Sequence, residues 1–311
     1  MDVTITQLRC FTEAAAHLSM TAAAGSLHTT QSAVSSAIAK LESRLGQSLF
    51  IRQQARGLRL TPTGERFLRS AQSILEHLEE AVESAQAEQG NVEGRVRFAC
   101  YSTLVPFLLP GILAKLRISH PALEVEVLEA DSKGCADALS SGQADIALMY
   151  DMGSLPEKLA ISTVASVRPY IALPPEHPFA DRANISLAEM AGDPFVLLEL
   201  PNTGELMHSI WQTANLEPEV SFRSASFETV RTFVANGHGY AILHQRPQFD
   251  RTYDGGRIVS IDIADDVPSL PIVLARLNSS RETARTRALA EAVGLQIASS
   301  ASGSGLREVP Q

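Results

Sequence analysis

Residues 28–52 read HTTQSAVSSAIAKLESRLGQSLFIR. Val34, Ile38, Leu41 and Leu45 fall at i, i+4, i+7 and i+11, the stripe of a helix buried along one side. Thr30 is placed to cap its start and Gly46 to end it in the left-handed region. The opposite face carries Ser32, Ser35, Ser36, Ala39 and Ser43, with Lys40 at the margin and Gln31 near the N-terminal end. Such a face of small polar side chains is most often simply solvated, but its surroundings argue otherwise. Upstream, Leu8, Phe11, Ala14, Ala15 and Leu18 give a first helix at 4–18, and Ser19 caps a short alanine-rich second one before a tight turn at His28 and Thr29. Downstream, extended runs at 49–52 and 58–61 flank a loop holding Arg56 and Gly57, the pattern of a hairpin on which Arg52, Arg56 and Arg59 cluster. Helix, turn, helix and basic hairpin make a winged DNA-binding head. Small side chains let the helix sit deep in a major groove, Gln31 can bond adenine or phosphate, and the arginines suit phosphates.

The charge is divided accordingly. The chain of 311 residues carries a net charge of −9, yet residues 1–61 hold six Lys or Arg against three Asp or Glu, and residues 62–90 hold two against six. Only the head is basic, as expected where one segment alone approaches phosphates. Hydrophobic residues make up 45% of the chain, enough for two or three domains with cores. No apolar run reaches the roughly 18 residues of a membrane span, and the opening residues carry Asp2, Glu13 and His17 inside an amphipathic pattern rather than a secretory signal. A cytoplasmic location with no membrane partner is expected. Cys10, Cys100 and Cys135 lie far apart without CxxC spacing or companion histidines, so they read as buried thiols rather than a disulfide framework or a metal site.

Thr61 and Pro62 give an N-cap and first-turn proline for a long helix. Within it Phe67, Ala71, Ile74, Leu78, Ala81 and Ala85 recur by alternating fours and threes, a heptad stripe that wants a partner helix. Residues 62–90 are therefore expected to pair two copies, the alternative being a helix packed on its own domain. After EQGNVEG (88–94), strands at 96–100, 125–129, 146–150, 168–173, 195–198, 220–223, 240–243, 258–261 and 270–275 interleave with helices at 106–120, 135–139, 204–214, 228–236 and 281–297. This is the βαβ rhythm of parallel sheets, an α/β architecture. The Ser/Gly-rich tail 299–311 is expected to be disordered.

The stretch 7–65 resembles the N-terminal winged helix-turn-helix of LysR-type transcriptional regulators. The resemblance is carried by the alanine-rich second helix, TQSAVSSAIAKLE (30–42) where that family shows a Ser-Gln-x-Ala-Val-Ser core, LGQSLFIR (45–52) and LTPTG (60–64). GQADIAL (142–148), LPPEHPFA (173–180), SLAEMAGDPFVLL (186–198) and VANGHGYAIL (234–243) are similar to its effector-binding half. The resemblance implies a DNA-binding head at 1–61, a linker helix at 62–90 and a regulatory domain at 91–298. That domain would be two doubly wound α/β subdomains of periplasmic-binding-protein type, about 91–165 with 268–298 and about 166–267. It implies DNA contacts from Thr30, Gln31, Ser32, Ser35, Ser36 and Arg52, to which the hairpin reading adds Arg56. Ser32 stands where proline is common in the family, and Ser36 and Ala37 where larger polar or basic residues are, so fewer long side chains reach base edges. The implied partners are an interrupted inverted repeat in promoter DNA, RNA polymerase, a small-molecule inducer and the chain itself, as a homodimer through the linker helix and then a homotetramer.

A cleft at the carboxyl ends of the strands suits a small ligand. Tyr101, Ser102 and Thr103 follow one strand and Ser132 another, Asn202 and Thr203 head a helix, and Phe227 begins the next. Ser102, Thr103, Ser132 and Thr203 are the expected polar clamps, with Asn202 among the effector-binding candidates and Tyr101 and Phe227 as apolar walls; each hydroxyl could equally be an ordinary helix cap. Hydroxyls at helix starts suit a carboxylate and the aromatic walls a ring, so a carboxylate or an aromatic inducer is expected. HExxH, GxSxG and GxGxxG are all absent from the sequence, His238 and His244 read as surface or core residues, and neither catalysis nor a cofactor is expected. The alternative reading is a ligand-independent architectural DNA-binding protein.

Overall fold

Each of the first three helices begins on a hydroxyl side chain. Thr4 Oγ1 accepts from the Gln7 amide while Gln7 Oε1 accepts from the Thr4 amide, a reciprocal cap that opens α1, Ile5–His17. Ser19 and Thr30 accept from the amides of Ala22 and Ala33 at the starts of α2, Met20–Ser26, and α3, Gln31–Leu45. Gly46, at φ +65°, ends α3. The computed structural model describes residues 3–53, 57–86, 92–201, 203–300 and 306–308, in two compact units that divide between Gly90 and Asn91.

In the first unit the stripe residues Val34, Ile38 and Leu41 are fully buried against Phe11, Ala14 and Ala23. The hairpin of β1, Phe50–Gln53, and β2, Gly57–Leu60, pairs Phe50 with Leu60. Its root is tied down three ways. Glu42 Oε1 accepts from the amides of Leu49 (2.7 Å) and Phe50 (3.1 Å), the Leu18 carbonyl accepts from the Leu58 amide (3.1 Å), and Phe11 meets the rings of Phe50 and Phe67 at 5.4 Å each. Thr61 Oγ1 accepts from the Gly64 amide at the start of α4, Pro62–Gln86, and donates to the Ser48 carbonyl. A Cβ on Gly64 would stand 2.2 Å from the Leu49 carbonyl oxygen, so only glycine lets α4 pass so close to the hairpin. The heptad stripe of α4 is divided in use. Phe67 and Ala71 pack into the unit's own core, joined by Leu68 and Leu75 from outside the stripe, whereas Ile74 of the stripe and Val82 beside it are half exposed.

The second unit holds two sheets built to one plan. The first half runs β3, Gly94–Tyr101; α5, Val105–Ser119; β4, Leu123–Ala130; α6, Ser132–Ser141; and β5, Ile146–Tyr150. β6, Leu159–Val167, completes that stretch, and the chain then crosses at 168–169 to β7, Tyr170–Leu173, and the short β8, Asn184–Ile185. The second half continues through a 3-10 turn at Leu187–Met190; β9, Phe195–Leu198; α7, Thr203–Gln212; β10, Val220–Ser224; α8, Phe227–Ala235; and β11, Ala241–Leu243. β12, Val259–Ile263, leads back across to β13, Leu270–Leu277, followed by α9, Ala284–Ser300, and β14, Leu306–Glu308.

One sheet has the order β14-β6-β13-β5-β3-β4. In the other, β11-β7-β12-β8 is joined to β9 and β10 by a parallel bridge between Phe195 and Tyr240, giving the same plan. That junction needs Gly239, whose φ is +136° and whose Cβ would lie 2.1 Å from the Pro194 carbonyl oxygen. The alternation predicts parallel sheets, and the parallel part of the first sheet is β4-β3-β5. The crossing strands enter antiparallel, β13 against both β5 and β6, and β7 against β11 and β12. Two expectations are corrected. The strand placed at 168–173 begins only at Tyr170, because Arg168 and Pro169 are the crossing, and the strand before it, β6, has no counterpart in the sequence reading. The tail 299–311 is not wholly disordered: Ser299 and Ser300 finish α9, and Leu306–Glu308 pairs with β6 through Leu306 and Val167. An open strand edge recruits backbone groups, which Ser/Gly composition does not report.

Candidate DNA interface and effector cleft

The outer face of α3 is what the periodicity predicts. Gln31, Ser32, Ser36, Ala39, Lys40 and Ser43 are exposed and Ser35 half-buried, with Val34, Ile38 and Leu41 sealed beneath them. Thr30, read as a DNA contact, has its hydroxyl engaged as the cap of α3 and against Ser32 Oγ at 3.0 Å. Arg52 belongs to β1, Arg59 is exposed on β2, and Arg56 lies outside the described residues. Sequence reasoning missed Glu42. Its two amide bonds fix the hairpin to the C-terminal part of α3, so the arginine-bearing strands and the serine face are held as one rigid piece.

In the second unit the carboxyl ends of β3, β5, β9 and β11 converge on a groove of about 460 Å³ that includes its open mouth. Tyr101, Thr103, Tyr150, Met152 and Leu270 line it from the first half. Leu198, Leu200, Thr203, Leu206, Met207, Phe227, Ile242, Leu243, His244 and Gln245 line it from the second. The halves touch through Gln245, whose Nε2 donates to Tyr150 OH at 2.8 Å and whose carbonyl accepts from Tyr170 OH at 3.0 Å. They also touch through the rings of Phe107 and Phe227, edge to face at 5.8 Å. Burial pushes the Tyr150 phenol up to about 12 and the Tyr101 phenol further, so both stay protonated, and it holds the His244 imidazole down at about 4, neutral.

Of the expected cleft residues, Tyr101, Thr103, Thr203 and Phe227 come together here. Ser102 is not among the lining residues; its amide donates to the Ala130 carbonyl. Ser132 Oγ is buried without a partner outside the lining, and the cap of α6 is Asp131 instead. The Thr203 hydroxyl is spent locally, donating to the Leu200 carbonyl and accepting from the Leu200 amide, and Asn202 lies outside the described residues. His244, read from the sequence as a surface or core residue, is buried and lines the groove, and Gln245 beside it, just past β11, lies away from the helix starts and first-strand ends where the polar clamps are expected. The uncharged lining also departs from the carboxylate expectation, since no described lining residue offers a counter-cation.

Residues 5–65 match the family model of the bacterial regulatory helix-turn-helix protein, lysR family, and residues 89–296 match the LysR substrate binding domain. A probable HTH-type transcriptional regulator, LrrA of Synechococcus elongatus, is 32% identical over 278 residues, covering 88% of each chain. Among solved structures, a putative LysR family transcriptional regulator from Pseudomonas aeruginosa is similar at 29% identity and TM-score 0.64, over 96% of this chain and 100% of that one. A full-length OxyR variant from the same species shares the fold, with a TM-score of 0.74 at 23% identity over 95% of this chain and 96% of the other.

Proposed function

The chain belongs to the LysR family of DNA-binding transcriptional regulators, and from that premise we propose how its own residues do the work. Gln31, Ser32, Ser35 and Ser36 face the major groove, with Arg52 and Arg56 on flanking phosphates. Two copies pair through α4, setting two heads on an interrupted inverted repeat with half-sites about 34 Å or a multiple apart. A second pairing through the regulatory units gives a tetramer, which works in the cytoplasm and contacts RNA polymerase at the promoter. A small molecule in the groove shifts the angle between the two halves of the regulatory unit and so the spacing of the heads. That coupling requires only a few kcal/mol of differential affinity between two assembly states.

The observation that supports this most is the groove itself. It is bounded by both halves, and the two chain crossings at 168–169 and 264–269 are the covalent links about which those halves can turn. A gel shift on the DNA immediately upstream of the chain's own gene, titrated at fixed salt with a panel of small molecules, tests the reading. A discrete shift that resists competitor DNA and changes with one compound is expected; binding indifferent to DNA sequence and to every compound overturns it.

A further inference from the structure

The groove's chemistry selects its ligand, given that the groove is the effector site proposed above. Its described lining contains no Lys, Arg, Asp or Glu, and its histidine is neutral. A carboxylate entering it leaves water without meeting an opposite charge. Yet the groove is not simply greasy. Three polar atoms on lining residues are shut off from solvent with no partner: Tyr101 OH, His244 Nε2 and Gln245 Oε1. Gln245 is the most constrained of these. Its Nε2 is committed to Tyr150 OH and its main-chain carbonyl to Tyr170 OH, which leaves Oε1 as a fixed acceptor that only a donor can satisfy. Around it stand aromatic walls, with Tyr101 edge-on to Tyr150 at 5.0 Å and Phe227 opposed to Phe107.

We propose that the effector is a neutral aromatic molecule carrying a hydrogen-bond donor, a phenol being the simplest case, with its ring against Tyr101, Tyr150 and Phe227 and its hydroxyl donated to Gln245 Oε1. A hydrocarbon of the same shape fills the space but leaves that acceptor bare, and an anion brings charge where nothing balances it. A site holding a buried unpaired acceptor rejects analogues that lack the donor.

Equilibrium dialysis of the full-length protein against 2-naphthol, 2-methoxynaphthalene and 2-naphthoate separates these cases. The first is expected to bind about tenfold tighter than either of the others. Gln245→Leu is expected to remove its advantage over the methyl ether; the ligand series in the unaltered protein carries the same test if that variant does not fold. Naphthoate equal to or tighter than naphthol, a methyl ether equal to naphthol, or no binding of any of the three overturns the assignment. A parallel footprint on the upstream DNA keeps the two readings apart. If naphthol binds in the expected order without altering the footprint, the phenol site stands and the regulatory reading falls. If a carboxylate alters the footprint while naphthol does not bind, the phenol assignment falls and the regulatory reading stands.

Discussion

Glu42 joins two parts of the head that the sequence presents as separate. A carboxylate accepting two backbone amides is a charge-assisted pair of bonds, and its loss leaves two part-buried donors unmet. Glu42→Ala is expected to destabilise the head by about 1–3 kcal/mol and to weaken operator binding, measured by a urea melt and a gel shift on the same preparation; unchanged affinity would show that the hairpin needs no such anchor. The thiols give a second test. Burial raises Cys10 and pushes Cys100 and Cys135 up to about 12, so almost no thiolate exists at neutral pH and the folded protein is expected to react negligibly with Ellman's reagent. A fast equivalent of released chromophore would contradict their packing. His244 supplies a pH dependence. Its imidazole resists protonation down to about 4 when folded and takes the proton near the ordinary 6.5 when unfolded, so the unfolded state binds more protons between those values. Stability should hold above that window and fall as pH drops through it, and His244→Leu should flatten the fall. At this scale the sequence was legible where a residue's job is local, as with the Ser19 and Thr30 caps, and illegible where it depends on a distant partner, as with Gln245 meeting Tyr150 across 95 positions.

Among elements, α4 shows one heptad period serving more than one end. Phe67 and Ala71 obey the heptad and yet are consumed by the unit's own core, because Phe11 and the hairpin reach the first turns of the helix. What remains on offer is further along, at Ile74, Ala81 and Val82, with Leu78 half-buried. If α4 pairs two copies as proposed, Val82→Asp is expected to leave the head folded and lower the sedimenting mass; a mutant that still sediments as the wild type would remove α4 as the pairing element. β6 failed to announce itself for the opposite reason. Ile161, Ser162 and Thr163 are all exposed, so neither the alternation of a half-buried strand nor the apolar run of a central one survives in LAISTVASV. Its pairing with β13 and β14, each more than a hundred residues later, makes it a strand.

Over the whole molecule, the basic head and the acidic remainder make binding strongly salt-dependent while leaving the sensor half free of non-specific attraction to DNA. Both halves of the second unit repeat one strand order, although the sequence shows no usable internal repeat; packing geometry was duplicated where side chains were not. That plan also fixes an order of events during synthesis. The first sheet cannot close when its own half has been made, because the strand that must lie between β5 and β6 is Leu270–Leu277, which leaves the ribosome only after the entire second half. At about 5–20 residues per second the edge of β5 stays bare for on the order of ten seconds. The head, finished within the first 86 residues, is complete well before then. A nascent chain halted in that interval would carry a finished DNA-binding head and no finished site for an effector.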